Sequence, residues 1–232
     1  MMKIFVTGSS GFIGKELVNH LSLGYDVVEF DLEKGFDILQ YDQVLEAIQG
    51  CEVVIHLAAI PKPQEDKTFE DYFRINCQGT LNVAKAAQES GVKRLIYASS
   101  TTCYGAEKGI PFVRPIQEDN LIVTQHVKVD ELECRDCDLA YSTSKVIAEQ
   151  ILANYGMRKK FEVVILRFGP TRSFGEKMPF LGLNLKLENA LQAVEKALTL
   201  KEKMWYEAFT ITDDLEDVDI SKARDVLGYE PI

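Results

Sequence analysis

Tyr141 and Lys145, in the run Tyr141-Ser142-Thr143-Ser144-Lys145, set a phenol and an ammonium four residues apart. On a helix that spacing puts both on one face, about one turn from each other. A cation beside a phenol favours the phenolate and lowers its pKa from about 10 toward a base useful near neutral pH. The hydroxyl run Ser99-Ser100-Thr101-Thr102 lies upstream at the end of an apolar stretch. A pair at this spacing is common on surface helices, so its chemistry depends on what the fold brings beside it. Near the N-terminus, Val6-Thr7-Gly8-Ser9-Ser10-Gly11-Phe12-Ile13-Gly14 carries a glycine at every third residue. Such glycines let the chain turn tightly from strand into helix. They also let a pyrophosphate approach the free amides at the helix N-terminus, where the dipole favours negative charge. A second apolar strand ends in Asp31, a carboxylate placed to accept hydrogen bonds from an adenosine ribose. The two features together read as a dinucleotide cradle.

The elements that must position these groups follow one another as strand then helix. Strand Ile4 to Val6 leads into a helix from about Gly14 to Leu23, with Leu17, Val18 and Leu21 on one face and Gly24 as its stop. Strand Asp26 to Phe30, a helix from Tyr41 to Ile48, the continuous apolar strand Val53 to Leu57, a helix from Phe69 to Ser90 and strand Arg94 to Ala98 complete the first half. Residues 105 to 138 read as irregular. Then come the helix Tyr141 to Tyr155, strand Glu162 to Arg167, a Gly- and Pro-rich loop to Gly182, a helix from about Glu188 to Leu200, a short strand Tyr206 to Thr212 and a last helix Ile220 to Leu227 closed by Gly228. The alternation predicts an α/β fold, a Rossmann-type doubly wound parallel sheet with helices on both faces and a small C-terminal substrate cap. The expected division is residues 1–170 as the nucleotide-binding domain with the candidate catalytic helix, and 171–232 as a reduced cap partly interleaved with it.

Composition narrows the class. The chain has 232 residues and a formal net charge of -10, which argues against a nucleic-acid surface because binding a polyanion needs clustered Lys and Arg. No apolar run is long enough to span a bilayer, and the first apolar residues are a strand rather than a signal peptide. A cytoplasmic protein with no membrane partner is the expectation. Five cysteines, an odd number, do not suggest a secreted disulfide framework. Cys134 and Cys137 precede Tyr141 closely, but a zinc site needs two further ligands and His126 is the only histidine near in sequence. No metal is expected. His20 and His56 read as structural, and Phe69, Tyr72 and Phe73 as core or dimer contacts.

Together the motifs resemble the extended short-chain dehydrogenase/reductases, specifically the NAD-dependent epimerase/dehydratase family. The likeness runs from Lys3 to about Arg167 through the glycine loop, Asp31, Asp37-Ile38, His56-Leu57-Ala58-Ala59, Asn76-x-x-Gly79-Thr80, Ser99-Ser100-x-x-x-Tyr104-Gly105 and Tyr141-x-x-x-Lys145; Asp219-Ile220-Ser221 through Gly228-Tyr229-x-Pro231 is similar to the family's C-terminal signature. The resemblance implies NAD as cofactor. Gly8, Gly11 and Gly14 would shape its cradle, Phe12 and Ile13 amides would bind pyrophosphate, Asp31 the adenosine ribose, Asp37 and Ile38 the adenine, and Leu57, Ala58 and Ala59 the middle of the molecule. Tyr141 would be the general acid/base, Lys145 would hold the nicotinamide ribose and depress the tyrosine, and Ser100 would bond the reacting oxygen. Asp31 favours NAD over NADP, since a 2′-phosphate would meet a carboxylate with no arginine adjacent. Paired long helices, Phe69 to Ser90 and Tyr141 to Tyr155, imply a homodimer.

The sequence departs from the family in instructive places. Thr101 and Thr102 stand where dehydratases carry an Asp-Glu pair, so dehydration is not expected. Phe168-Gly169-Pro170 follows Arg167 where epimerases carry an Asn nearby, and little chain remains to grip a nucleotide diphosphate. The expected function is a nucleotide-sugar 4-epimerase-like enzyme working through a keto intermediate on a small-molecule sugar or nucleotide-sugar. The alternatives are an NAD-dependent dehydrogenase of a free sugar or sugar acid, similar to uronate dehydrogenases, and a non-catalytic NAD(H)-sensing protein. Arg172, Lys177 and Lys186 are candidate partners for a substrate carboxylate.

Overall fold

The structure, a computed structural model, describes residues 1–105, 113–120, 122, 135–172 and 183–232, without the side chain of Arg172. Six parallel strands form the central sheet in the order β2-β1-β3-β4-β5-β8. They are β1 (Lys3–Thr7), β2 (Asp26–Phe30), β3 (Val53–His56), β4 (Arg94–Ser100), β5 (Glu162–Phe168) and β8 (Glu207–Ile211). Two short strands, β6 (Thr171–Arg172) and β7 (Leu185–Lys186), pair in parallel outside it. All four residues of β3 are buried, as a strand covered on both faces requires. The chain leaves β1 toward β2 on one side and returns to β3 on the other. That reversal opens a crevice at the carboxyl end of β1 and β3, where ligands of open α/β sheets bind.

Two apolar layers hold the helices. One face of the sheet carries Ile4, Val6, Ile55, Ile96, Val164 and Phe209 against α1 (Phe12–Leu21) and α6 (Leu187–Thr199). The other carries Phe5, Val54, Leu95, Tyr97, Val163 and Ile165 against α2 (Tyr41–Ala47), α4 (Gly79–Glu89) and α5 (Asp136–Met157). Helix α3 (Phe69–Tyr72) runs into α4 through π-helical turns at Phe73–Gln78, a widening that sequence periodicity does not show. Thr68 and Asp71 cap α3 reciprocally.

One expectation changes. Helix α5 begins at Asp136, inside the stretch expected to be irregular, where the Asp138 carboxylate accepts from the Arg135 amide at 3.2 Å and from its guanidinium at 2.9 and 2.8 Å. Part of 171–232 is built into the main domain: β8 extends the sheet beside β5, α6 packs on the α1 face, and Tyr229 is fully buried in the same layer. His126, Cys134 and Lys177 lie outside the described residues. Cys51, Cys77, Cys103 and Cys137 are buried free thiols. Among the described residues no helix is long and apolar enough to cross a membrane, and no cluster of three His, Cys, Asp or Glu could hold a metal.

Candidate active site

A cavity of about 970 Å³ follows the carboxyl edge of the sheet, at the large end of ligand sites. Its first end is the glycine loop. Gly8 has φ +71°, which a β-carbon disfavours, and a β-carbon there would lie 2.6 Å from the Ala58 amide nitrogen. One at Gly14 would lie 2.0 Å from the Gly8 oxygen. The loop is thus folded back on itself as tightly as the backbone permits. Gly11 caps α1 with no side chain, so the first amides of that helix are left to whatever the cavity holds.

Asp31 closes this end. Its Oδ2 accepts from the Ser10 amide at 3.0 Å and its Oδ1 from the Glu33 amide at 3.0 Å. One carboxylate therefore fixes the glycine loop and caps the short turn that follows β2. Beyond it, Asp37 accepts from the Leu39 amide at 2.9 Å, and its own amide donates to Gln43 Oε1. The Ile38 carbonyl accepts from Asn82 Nδ2 at 2.9 Å. Phe36 stacks on Phe30 with ring centroids 5.1 Å apart and faces the same cavity.

The middle of the cavity is floored by Leu57, Ala58 and Ala59. They are held by a buried relay. Thr80 Oγ1 donates to the Asn76 carbonyl at 2.5 Å and so accepts from His56 Nε2 at 2.9 Å. That leaves His56 Nδ1 to accept from Thr7 Oγ1 at 2.6 Å, while Thr7 Oγ1 accepts from the Ala58 amide at 3.3 Å. Burial keeps His56 neutral by lowering its pKa to about 3, with Lys145 adding to the shift. Asn76, on the π-helical turns, accepts from the Ile60 amide at 2.7 Å and donates to Ser144 Oγ at 2.9 Å. His56 and Asn76 are structural ties that hold the floor.

At the far end stand Tyr141, Lys145 and Ser100. Helix α5 brings the first two over the end of β4, where Lys145 Nζ donates to the Ala98 carbonyl at 2.9 Å and the Tyr97 hydroxyl at 3.4 Å. Lys145 Nζ is 5.9 Å from the Tyr141 ring centroid, and the Tyr72 ring meets Tyr141 edge-on at 6.1 Å. The Ser100 hydroxyl accepts from the Thr102 amide at 3.2 Å. Burial is the largest influence on both titrating groups. It pushes the Tyr141 phenol up, with the Ser100 hydroxyl beside it pulling down. It pushes the Lys145 ammonium down to about 8, opposed by Cys103, Glu149 and Cys77. Tyr141 is thus raised where a depression by Lys145 was expected: burial is the largest influence, and the Ser100 hydroxyl is the group that opposes it.

Gly8, Gly11, Phe12, Ile13, Gly14, Asp31, Asp37, Ile38, Leu57, Ala58, Ala59, Ser100, Tyr141 and Lys145 all line this one cavity. Sequence reasoning missed Lys62, Arg74, Arg135 and Asp138 on its wall. Arg135 bonds both Asp138 and Glu65; its i,i+3 spacing to Asp138 was the available signal. Lys186 points elsewhere, with Nζ donating to the main-chain oxygen of Ile232.

The sequence profile of the NAD-dependent epimerase/dehydratase family matches residues 4–205. The chain belongs to that family. It is 29% identical over 176 residues to L-arabinose 1-dehydrogenase (NAD(P)(+)) of Haloferax volcanii, covering 73% of this chain and 67% of that protein. It is 31% identical over 214 residues to UDP-glucose 4-epimerase of Vibrio cholerae, covering 85% of this chain and 58% of that protein. This family member thus spans about 60% of that epimerase. A solved short-chain dehydrogenase/reductase superfamily protein from Agrobacterium tumefaciens, with bound NAD, shares the fold with a TM-score of 0.80 and 19% identity, over 99% of this chain and 92% of that one.

Proposed function

We propose that this family member is an NAD-dependent sugar epimerase of the nucleotide-sugar 4-epimerase type. The observation that carries the reading is one cavity with a side-chain-free phosphate cradle at one end and Tyr141, Ser100 and Lys145 at the other. The residues fit the cofactor: the open amides of α1 suit a pyrophosphate, Asp31 a ribose without a 2′-phosphate, and Asp37, Ile38 and Phe36 the adenine. Bound NAD would supply the acceptor for a hydride from carbon. The chain's own residues do the rest. Ser100 and Tyr141 hold the reacting sugar oxygen, Tyr141 exchanges its proton, and Lys145 balances the charge on the phenol. Tyr141 accepts that proton as its phenolate while the sugar hydroxyl is oxidised and returns it, as the phenol, to the ketone; burial raises the phenol, so the Lys145 ammonium beside it is what supports the phenolate. Removing the Tyr141 hydroxyl tests this: turnover should fall by about 1,000-fold with NAD affinity kept.

A dehydrogenase of a free sugar or sugar acid is the second reading. It is favoured by the likeness to a sugar 1-dehydrogenase. We also infer a homodimer built on α3, α4 and α5. Phe69 and Phe73 are exposed neighbours with ring centroids 6.4 Å apart, and Leu81 is exposed on the next turns. Buried free thiols fit a reducing, cytoplasmic setting.

A further inference from the structure

Beside the candidate catalytic residues lies a buried polar cluster that the reaction scheme leaves unused. Glu149 sits on α5 one turn beyond Lys145 and two beyond Tyr141, on the same face. Its carboxylate is filled. Oε1 accepts from Ser99 Oγ at 2.5 Å, Arg167 Nε at 3.0 Å and Cys103 Sγ at 3.5 Å, and Oε2 accepts from Arg167 Nη2 at 2.7 Å. Arg167 Nη1 donates to the Tyr104 hydroxyl at 2.6 Å, and that hydroxyl lies 3.1 Å from Thr210 Oγ1. Glu149 is 2% and Arg167 8% exposed. The cluster therefore ties α5 to the end of β4, the turn after it, β5 and β8.

Stability alone does not call for such a group. Desolvating two charges costs about as much as their attraction returns, and apolar side chains of similar volume often serve as well. What a two-pronged arginine-carboxylate pair adds is direction. Here the direction falls on Ser99, whose neighbour along the chain is Ser100. An error of about 1 Å in a reacting geometry costs up to ~100-fold in rate.

We propose that Glu149, clamped by Arg167, is a positioning residue for the oxidation step: through Ser99 it fixes the Ser100 hydroxyl at the end of β4 relative to Tyr141 and Lys145 on its own helix. The proposal rests on the reading of those three residues as catalytic. Its substrate is whichever sugar the enzyme turns over, because the cluster touches the machinery and not the ligand.

Ser99→Ala is the decisive variant, since it removes one link and leaves both Arg167 bonds to Glu149 in place. Its kcat should fall at least about ten-fold, with sugar KM and the NAD dissociation constant, the latter read by titration without sugar, each within about three-fold. Ser99→Thr, which restores the hydroxyl, should recover most of kcat. Glu149→Gln should lower kcat at least as far, and if it fails to fold, the serine pair decides alone. An unchanged kcat in Ser99→Ala overturns the proposal, and so does a Ser99→Thr loss equal to that of alanine, which would mean packing rather than hydrogen bonding. Tyr141→Phe separates the two failures. If it abolishes turnover while Ser99→Ala does not, only the positioning role falls; if it leaves turnover intact, the catalytic assignment falls first.

Discussion

Burial, more than charge, sets protonation at the candidate catalytic pair. Lys145 is lowered to about 8, surrounded by Tyr97 of β4, Cys103 of the turn after it, Cys77 beside α4, and Tyr141 and Glu149 of its own helix. Turnover should therefore decline as pH rises through about 8, because the ammonium that supports the Tyr141 phenolate is lost. In Lys145→Arg the guanidinium stays charged, so whatever activity remains should lack that alkaline limb in a kcat profile. His56 makes the opposite test. Its native pKa of about 3 lies below the ordinary 6.5, so between those values the unfolded chain binds a proton that the native protein does not. Stability should fall as pH drops below 6.5, with a slope approaching ~1.4 kcal/mol per pH unit from this one group, and show no contribution from it above. His56→Gln should flatten the limb between about pH 6.5 and 5 in chemical denaturation; an identical slope would mean that His56 is protonated in the native state.

At the scale of elements, the glycine loop shows most clearly what a sequence can disclose. Its spacing, the strand before it and the helix after it are local, and Gly14 meets its requirement against Gly8, although Gly8 itself packs against Leu57 and Ala58 from the end of β3. Asp31 was legible as a carboxylate at a strand end, but its hold on the Ser10 amide was not. Asp31→Ala should accordingly do two things in titrations with both dinucleotides: weaken NAD about ten-fold or more by loosening the loop, and narrow the gap between NAD and NADP. Equal affinities before and after would take Asp31 out of the cofactor site. The Tyr141 to Lys145 spacing was legible for the same local reason. Glu149 was not, although it continues the same face of α5, because its partners Ser99 and Arg167 come from neighbouring strands in the register Ser99 with Arg167. Nor was the reversed tyrosine shift, which depends on how deeply Tyr72, Ser100 and Cys103 bury the phenol.

Over the whole molecule, the fold class was readable from alternating strands and helices, and the last sixty or so residues were expected as a cap partly interleaved with the main domain, without the strand that joins the sheet being named. An apolar strand such as Glu207–Ile211 reads the same whether it caps a substrate or extends a sheet. Phe69 and Phe73 are exposed on the outer surface; if the proposed homodimer forms there, a Phe73→Glu variant should sediment at half the mass of the parent while still binding NAD. The proposed function rests most heavily on Tyr141 transferring a proton at a sugar hydroxyl within an NAD-loaded cavity. The direct measurement is nuclear magnetic resonance of a UDP-hexose incubated with the purified protein, with absorbance followed at the reduced nicotinamide band and Tyr141→Phe alongside. The account predicts inversion at one ring carbon, no net reduced nicotinamide, and loss of inversion in the variant. Steady accumulation of reduced nicotinamide with a free sugar and no inversion of any UDP-hexose would contradict the epimerase and establish the dehydrogenase in its place.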